Sequence, residues 1–124
     1  QWRKLMLNVG VNQTAAVFGG TYGELQRQGE ARSLMIAAMK EVLSISQAEG
    51  INLTDDDLDY VLSVLDRVSP AGKPSMRQDI EARRKTEVEL FSGTVRKLGI
   101  RHGIDTPVNN ELYKRITVTE SSYK

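Results

Sequence analysis

Residues 31–49 read ARSLMIAAMKEVLSISQAE, and Gly50 follows them. Leu34, Ile36, Ala37, Ala38, Val42, Leu43 and Ile45 recur through this stretch at helical spacing, with no period-two alternation to compete. The spacing predicts a helix from Ala31 to Glu49, apolar enough to be central and closed by Gly50.

The same period extends in both directions. Leu5, Val9 and Ala16, with Leu7 and Val11, fall on broad helical faces between Trp2 and Phe18. The run Thr14-Ala15-Ala16-Val17 favours one helix continuing to Gly19-Gly20. Beyond that glycine loop, Glu24-Leu25 begins a short helical turn. After the central helix, Thr54 stands three residues before Asp57 as an N-cap with an acidic first turn, and Leu58, Val61, Leu62, Leu65 and Val68 form an apolar stripe. Ser69 to Pro74 is loop chemistry. Ser75 to Arg84 predicts a short helix, and Thr86-Glu87 opens another that carries Val88, Leu90, Phe91, Val95 and Leu98 towards Gly99. Pro107 starts a last helix through Leu112, Tyr113 and Ile116, before a polar tail from Thr119. The sequence carries no strand pattern and no G-x-G-x-x-G fingerprint, so the expected fold is all-α, a compact multi-helix bundle unable by itself to cradle a dinucleotide pyrophosphate.

Composition narrows the function classes. The chain has 124 residues, 40% hydrophobic and 27% charged, which fits one globular domain over residues 1–124 and argues against disorder or a membrane span. Seventeen Lys and Arg against sixteen Asp and Glu leave a formal charge of +1, far from the basic excess of a nucleic-acid binder. The absence of Cys removes disulfides and thiol chemistry and is compatible with a reducing, cytoplasmic compartment. With a single His, His102, no multi-His metal site forms and no metal is expected. The abrupt start at Gln1-Trp2-Arg3-Lys4 reads as a chain cut from something longer.

Lys4, Asn8 and Asn12 are spaced four apart, so on an α-helix each is rotated about 40° and displaced about 6 Å from the last. One cation and two amides on a face suit a small anion carrying a carbonyl or hydroxyl. A buried Lys, its pKa lowered by desolvation, could also donate a proton to a developing alkoxide. The same row would serve as a solvated polar stripe. Ser75, after the proline-stiffened turn Lys73-Pro74, could hold a carboxylate or merely cap a helix. Thr86 is equally an N-cap, with Glu87 in the first turn. His102, at the end of a helix, reads as structural, as do the core-filling Met35 and Met39. Arg83-Arg84-Lys85 is a basic cluster at a helix junction that could also meet a cofactor phosphate.

Taken in order, Lys4-x3-Asn8-x3-Asn12, Gly23-Glu24-Leu25, Lys73-Pro74-Ser75-Met76 with Gln78-Asp79, Arg84-Lys85-Thr86-Glu87, Gly103-Ile104 with Thr106-Pro107 and Asn109, and Leu112-Tyr113 resemble the C-terminal domain of ketopantoate reductase (2-dehydropantoate 2-reductase). The resemblance implies the helical C-terminal domain type of that family and of related 6-phosphogluconate-dehydrogenase-like enzymes. It implies an N-terminal Rossmann domain, outside these residues, that binds NADPH, and a 2-oxo acid held between the domains and reduced for pantothenate and coenzyme A biosynthesis. On this reading Lys4 is the general acid, Asn8, Asn12 and Ser75 bind substrate, and Glu87 lies near the substrate hydroxyl and the nicotinamide ribose. A homodimer is a further implied partner. Tyr22 departs from the family, which often has Asn there, and Arg83 stands where Gly commonly precedes Arg-x-Thr-Glu. Two other readings compete: a reductase of another 2-oxo acid, and a non-catalytic helical dimerisation module in which the five polar residues would be scattered.

Overall fold

The computed structural model describes residues 1–123, and among them every regular element is helical. Helix α1 (Trp2–Leu7), a π-helical turn (Asn8–Asn12) and α2 (Gln13–Phe18) run as one rod that ends at Gly19 in the left-handed region. The π turn is a correction to the single α-helix expected here. It presses Gly10 so close to α4 (Glu30–Ala48) that a Cβ would stand 2.6 Å from Met39 Cε and 2.7 Å from Met39 Cγ. Only glycine allows that approach without displacing the methionine.

α4 is central, as its composition predicts. Met35, Ala38, Met39, Val42 and Ile45 are wholly buried in the main core with Met6, Val9 and Leu112, and Met35 and Met39 are core side chains. Gly50, at φ 77°, closes the chain reversal after it. His102 Nε2 is hydrogen-bonded to the Glu49 carboxylate beside that reversal, a structural role. The short α3 (Tyr22–Gln26) precedes α4, and α5 (Asp55–Asp66) follows it.

The expected cap of α5 is a full capping box between Thr54 and Asp57. The Thr54 backbone N–H donates to the Asp57 carboxylate and Arg3 of α1 ion-pairs with it, and the two hold that carboxyl below its ordinary range. A depressed carboxyl contributes stability that is present above its unfolded value and lost as pH falls through the folded one. Asp57→Asn is therefore expected to lower stability at neutral pH and flatten the acid limb of the stability curve. Urea midpoints measured from neutral to acid pH test this, and parallel curves for the two proteins would contradict it.

α6 (Ser75–Glu81) stops short of the expected Arg84. Arg84 N–H donates to Asp79 O and Arg83 N–H to Ile80 O, the two bonds of a Schellman motif, and Arg83 takes φ 59° at its left-handed position. An L side chain there costs about 1–2 kcal/mol, part of which glycine would return to the flexible unfolded chain. Arg83→Gly is thus expected to stabilise the domain by about 0.5–1 kcal/mol, less whatever the Arg83 guanidinium contributes over the Tyr123 ring. A melting temperature that fell would show the ring contact to be the larger effect.

The helix expected from Thr86 is instead a 3-10 turn (Val88–Leu90) followed by α7 (Ser92–His102). Thr86 does not cap α7: its N–H and hydroxyl both go to the Glu120 carboxylate of α8 (Pro107–Ser121). Nor does Gly99 end α7. It lies inside the helix where a Cβ would meet Ile104 O at 2.8 Å, and the stop is Gly103 at φ 67°. α8 begins at Pro107 as expected and extends through much of the polar tail. A second, small core of Ala16, Met76, Val88 and Ile116 joins α2, α6, the 3-10 turn and α8.

Candidate functional site

The π turn and the start of α6 carry a continuous set of polar contacts. Asn12 Oδ1 accepts from Ser75 Oγ at 3.1 Å and from Met76 N–H at 3.2 Å. A backbone N–H can only donate, which fixes that oxygen's orientation and turns Asn12 Nδ2 towards Asn8 Oδ1 at 2.8 Å. Asn8, Asn12 and Ser75 thus converge, Asn12 and Ser75 from 63 residues apart in sequence, leaving Asn8 Nδ2 with no hydrogen-bond partner among the described residues. Lys4 stands one turn before Asn8 on α1. It is exposed rather than buried, and has no ion-pair partner among the described residues.

Two hollows flank this row on the α5 side. Lys4 lines one of about 210 Å3 with Leu7, Tyr60 and Val64, and Asn12 lines another of about 90 Å3 with Leu7, Tyr22, Val64 and Val68. Their shared walls, Leu7 and Val64, make them neighbours along one apolar seam. Tyr22 is held by its N–H to Gly72 O, and its ring lies so close to Gly72 that a Cβ there would be 3.0 Å away. The ring therefore occupies the rim beside Asn12. A larger hollow, about 360 Å3 between α2, α6 and α8, touches none of the five candidate residues.

The loop before Ser75 is fastened to α6. Lys73 Nζ bonds the Glu81 carboxylate at 2.8 Å, which Arg77 approaches at 3.3 Å, and the lysine bond is the main reason that Glu81 is held below the ordinary carboxylate range. Gln78 donates to the Lys73 carbonyl. Ser75 is the first residue of α6, and its hydroxyl is spent on Asn12 rather than on capping.

Glu87 is exposed just before the 3-10 turn, and its carboxylate bonds none of the other four residues. Its neighbour Val88 shares the small core with Met76, the neighbour of Ser75, so the same end of the bundle carries both. In the basic cluster, Arg84 pairs with Asp79 and Arg83 lies over Tyr123. Nothing in the sequence singles out Gln13. It is fully buried, and its carboxamide bridges Val9 O and Ser92 N–H. An amide in an alanine-containing helical run gives no sign of that.

The family described as ketopantoate reductase PanE/ApbA C terminal matches residues 1–120. The chain belongs to this family. The 2-dehydropantoate 2-reductase of Vibrio cholerae serotype O1 is 37% identical over 123 residues, which cover 98% of this chain and 41% of that protein. Among solved structures, the PanE/ApbA family ketopantoate reductase of Ralstonia eutropha JMP134 superposes with a TM-score of 0.87 at 28% identity, over 97% of this chain and 40% of that one. A dimeric ketopantoate reductase of Staphylococcus aureus gives 0.90 at 25% identity, over 97% and 42%. The all-α fold is thus that of the ketopantoate reductase C-terminal domain. The chain spans about two fifths of the length of its curated relatives.

Proposed function

We propose that this domain is the substrate-binding and proton-donating part of an NADPH-dependent reductase that converts ketopantoate to pantoate, joined to a nucleotide-binding Rossmann domain. The observation that carries the reading is the Asn8, Asn12 and Ser75 cluster, one helical turn from a Lys4 that has no ion-pair partner among the described residues, in a chain of this family. The hydrogen bonds joining three of the five residues support this reading over a non-catalytic module, while Lys4 and Glu87 stand apart from that cluster.

The chemistry assigned to each residue follows from its groups. Asn8 and Ser75, with the remaining Asn12 hydrogen, bind and orient the carboxylate and the 2-oxo group. The Lys4 ammonium polarises the carbonyl and delivers its proton to that oxygen as the alkoxide develops, leaving a neutral amine to be reprotonated from water. NADPH, when bound, supplies the hydride that adds to the 2-oxo carbon. Residues here fit only its edge: Glu87 is exposed and has no side-chain partner among the described residues, so its carboxylate can accept from a ribose or substrate hydroxyl. We extend to this protein the dimeric state named for the Staphylococcus aureus relative.

A second reading has a specific observation behind it. The Tyr22 ring narrows the rim beside Asn12, which favours a 2-oxo acid of different side chain. Turnover by the full-length protein over a panel of 2-oxo acids with NADPH decides between them. Preference for ketopantoate is the expected result; preference for another 2-oxo acid would shift the assignment to it, and inactivity on all would contradict the reductase reading. Residues 1–124 alone are expected to bind NADPH too weakly for calorimetric detection at micromolar concentrations, roughly the lower end of ordinary enzyme affinities. Tight binding by that segment would contradict the division of labour.

A further inference from the structure

We propose that Gln13 is a positioning residue that holds the π turn, and through it Asn8 and Asn12, in the geometry that binds substrate; this rests on the function proposed above. In an α-helix the Gln13 backbone N–H would pair with Val9 O. Here that N–H goes to Gly10 O, and the Val9 carbonyl is met by the Gln13 side chain, Nε2 to O at 2.8 Å. The side chain supplies the bond that the π turn displaces. Its other end is equally engaged, Oε1 accepting from Ser92 N–H at 2.9 Å. Val9 O can only accept and Ser92 N–H only donate, so the orientation of the carboxamide is forced.

The amide is wholly buried, where either end left unpaired would be costly. Ser92 is held in turn: its hydroxyl donates to Asn109 Oδ1, and Asn109 Nδ2 donates to Glu41, whose carboxylate also accepts the Val108 and Asn109 N–H groups at the start of α8. The π turn is thereby tied to α7, α8 and α4 through one buried chain. Reversion to α-helical pairing would absorb one residue and turn Asn12 by about 100° relative to Lys4, the rotation of one α-helical residue, breaking its reach to Ser75.

Two variants of the full-length protein test this. Gln13→Met keeps length and apolar bulk but loses both bonds. We expect it to raise KM for ketopantoate about tenfold or more, the worth of one good hydrogen bond to a charged ligand, with a much smaller change in kcat because Asn8 and Asn12 bind ground and transition states alike. Gln13→Glu can restore both bonds when protonated, its O–H donating to Val9 O and its carbonyl accepting from Ser92 N–H. Burial raises such a carboxyl by up to about 3–5 pH units, so its KM relative to wild type should be close to one near pH 6 and climb only as pH rises above neutrality, through the raised titration of the carboxyl. A role in packing alone would give no such pH-linked rescue. Folded Gln13→Met with KM within about threefold of wild type, or a Gln13→Glu ratio flat with pH, would overturn the proposal. If Gln13→Met does not fold, the Gln13→Glu profile decides alone. A wild-type protein inactive on every 2-oxo acid would instead remove the functional reading, and this proposal with it.

Discussion

In the full-length protein, Lys4→Ala is expected to lower kcat by roughly 10² to 10⁴, the usual cost of losing a general acid, while changing substrate binding much less. Negative charge reaches the substrate oxygen only as the hydride arrives, so the ammonium is worth most in the transition state. Lys4 has the freedom this requires. It is exposed at the edge of an apolar hollow and bonded to no carboxylate among the described residues. Lys4→Arg keeps the charge but presents a guanidinium that does not give up its proton, so it should recover binding without recovering kcat. Steady-state kinetics with chemistry shown to be rate-limiting would test this. A Lys4→Ala enzyme with near wild-type kcat would exclude the general-acid role.

Asn12→Ala is expected to act on the other constant. Asn12 bonds Asn8, Ser75 and the Met76 N–H together, so its loss removes a ligand group and also releases the two residues beside it. Hydrogen bonds to a charged group are worth about 1.5–3 kcal/mol each, so KM should rise on the order of 10- to 100-fold. Because the substrate carboxylate carries the same charge throughout, kcat should change far less. Ser75→Ala, which leaves the Asn8 and Met76 bonds in place, should give a smaller rise. Equal effects of the two substitutions would show that Asn12 has no tying role beyond its own contact.

Much of the helical plan was legible because apolar stripes repeat over many residues. The central helix emerges that way, while the Thr54 cap and the glycine stops at Gly19 and Gly50 show in the residue types at helix ends. The π turn does not, since one extra residue in a turn scarcely alters a pattern averaged over the seventeen residues from Trp2 to Phe18. Arg83 was visible as a departure from glycine, but its left-handed backbone was not, because only the surrounding Schellman bonds impose it. Gly99 lies inside α7, where its lack of a side chain serves the close approach of Ile104 and Thr106, and the helix runs on to His102, near which its end was expected. Of the site, spacing alone placed Lys4, Asn8 and Asn12 together on one helix. Local chemistry marked Ser75 and Glu87 only ambiguously, each equally readable as part of a helix start, and the family resemblance assigned them roles; the bond from Ser75 to Asn12 is a tertiary contact that no local pattern encodes. Gln13 was invisible for the same reason, since both partners of its amide are defined by the fold.

The position of a bound product molecule distinguishes these roles most sharply. A crystal structure of the full-length protein with NADP+ and pantoate should place Lys4 Nζ within about 3 Å of the 2-hydroxyl oxygen, with Asn8, Asn12 and Ser75 on the carboxylate and hydroxyl groups. Pantoate bound away from the π turn, with Lys4 out of reach of its oxygen, would contradict the account.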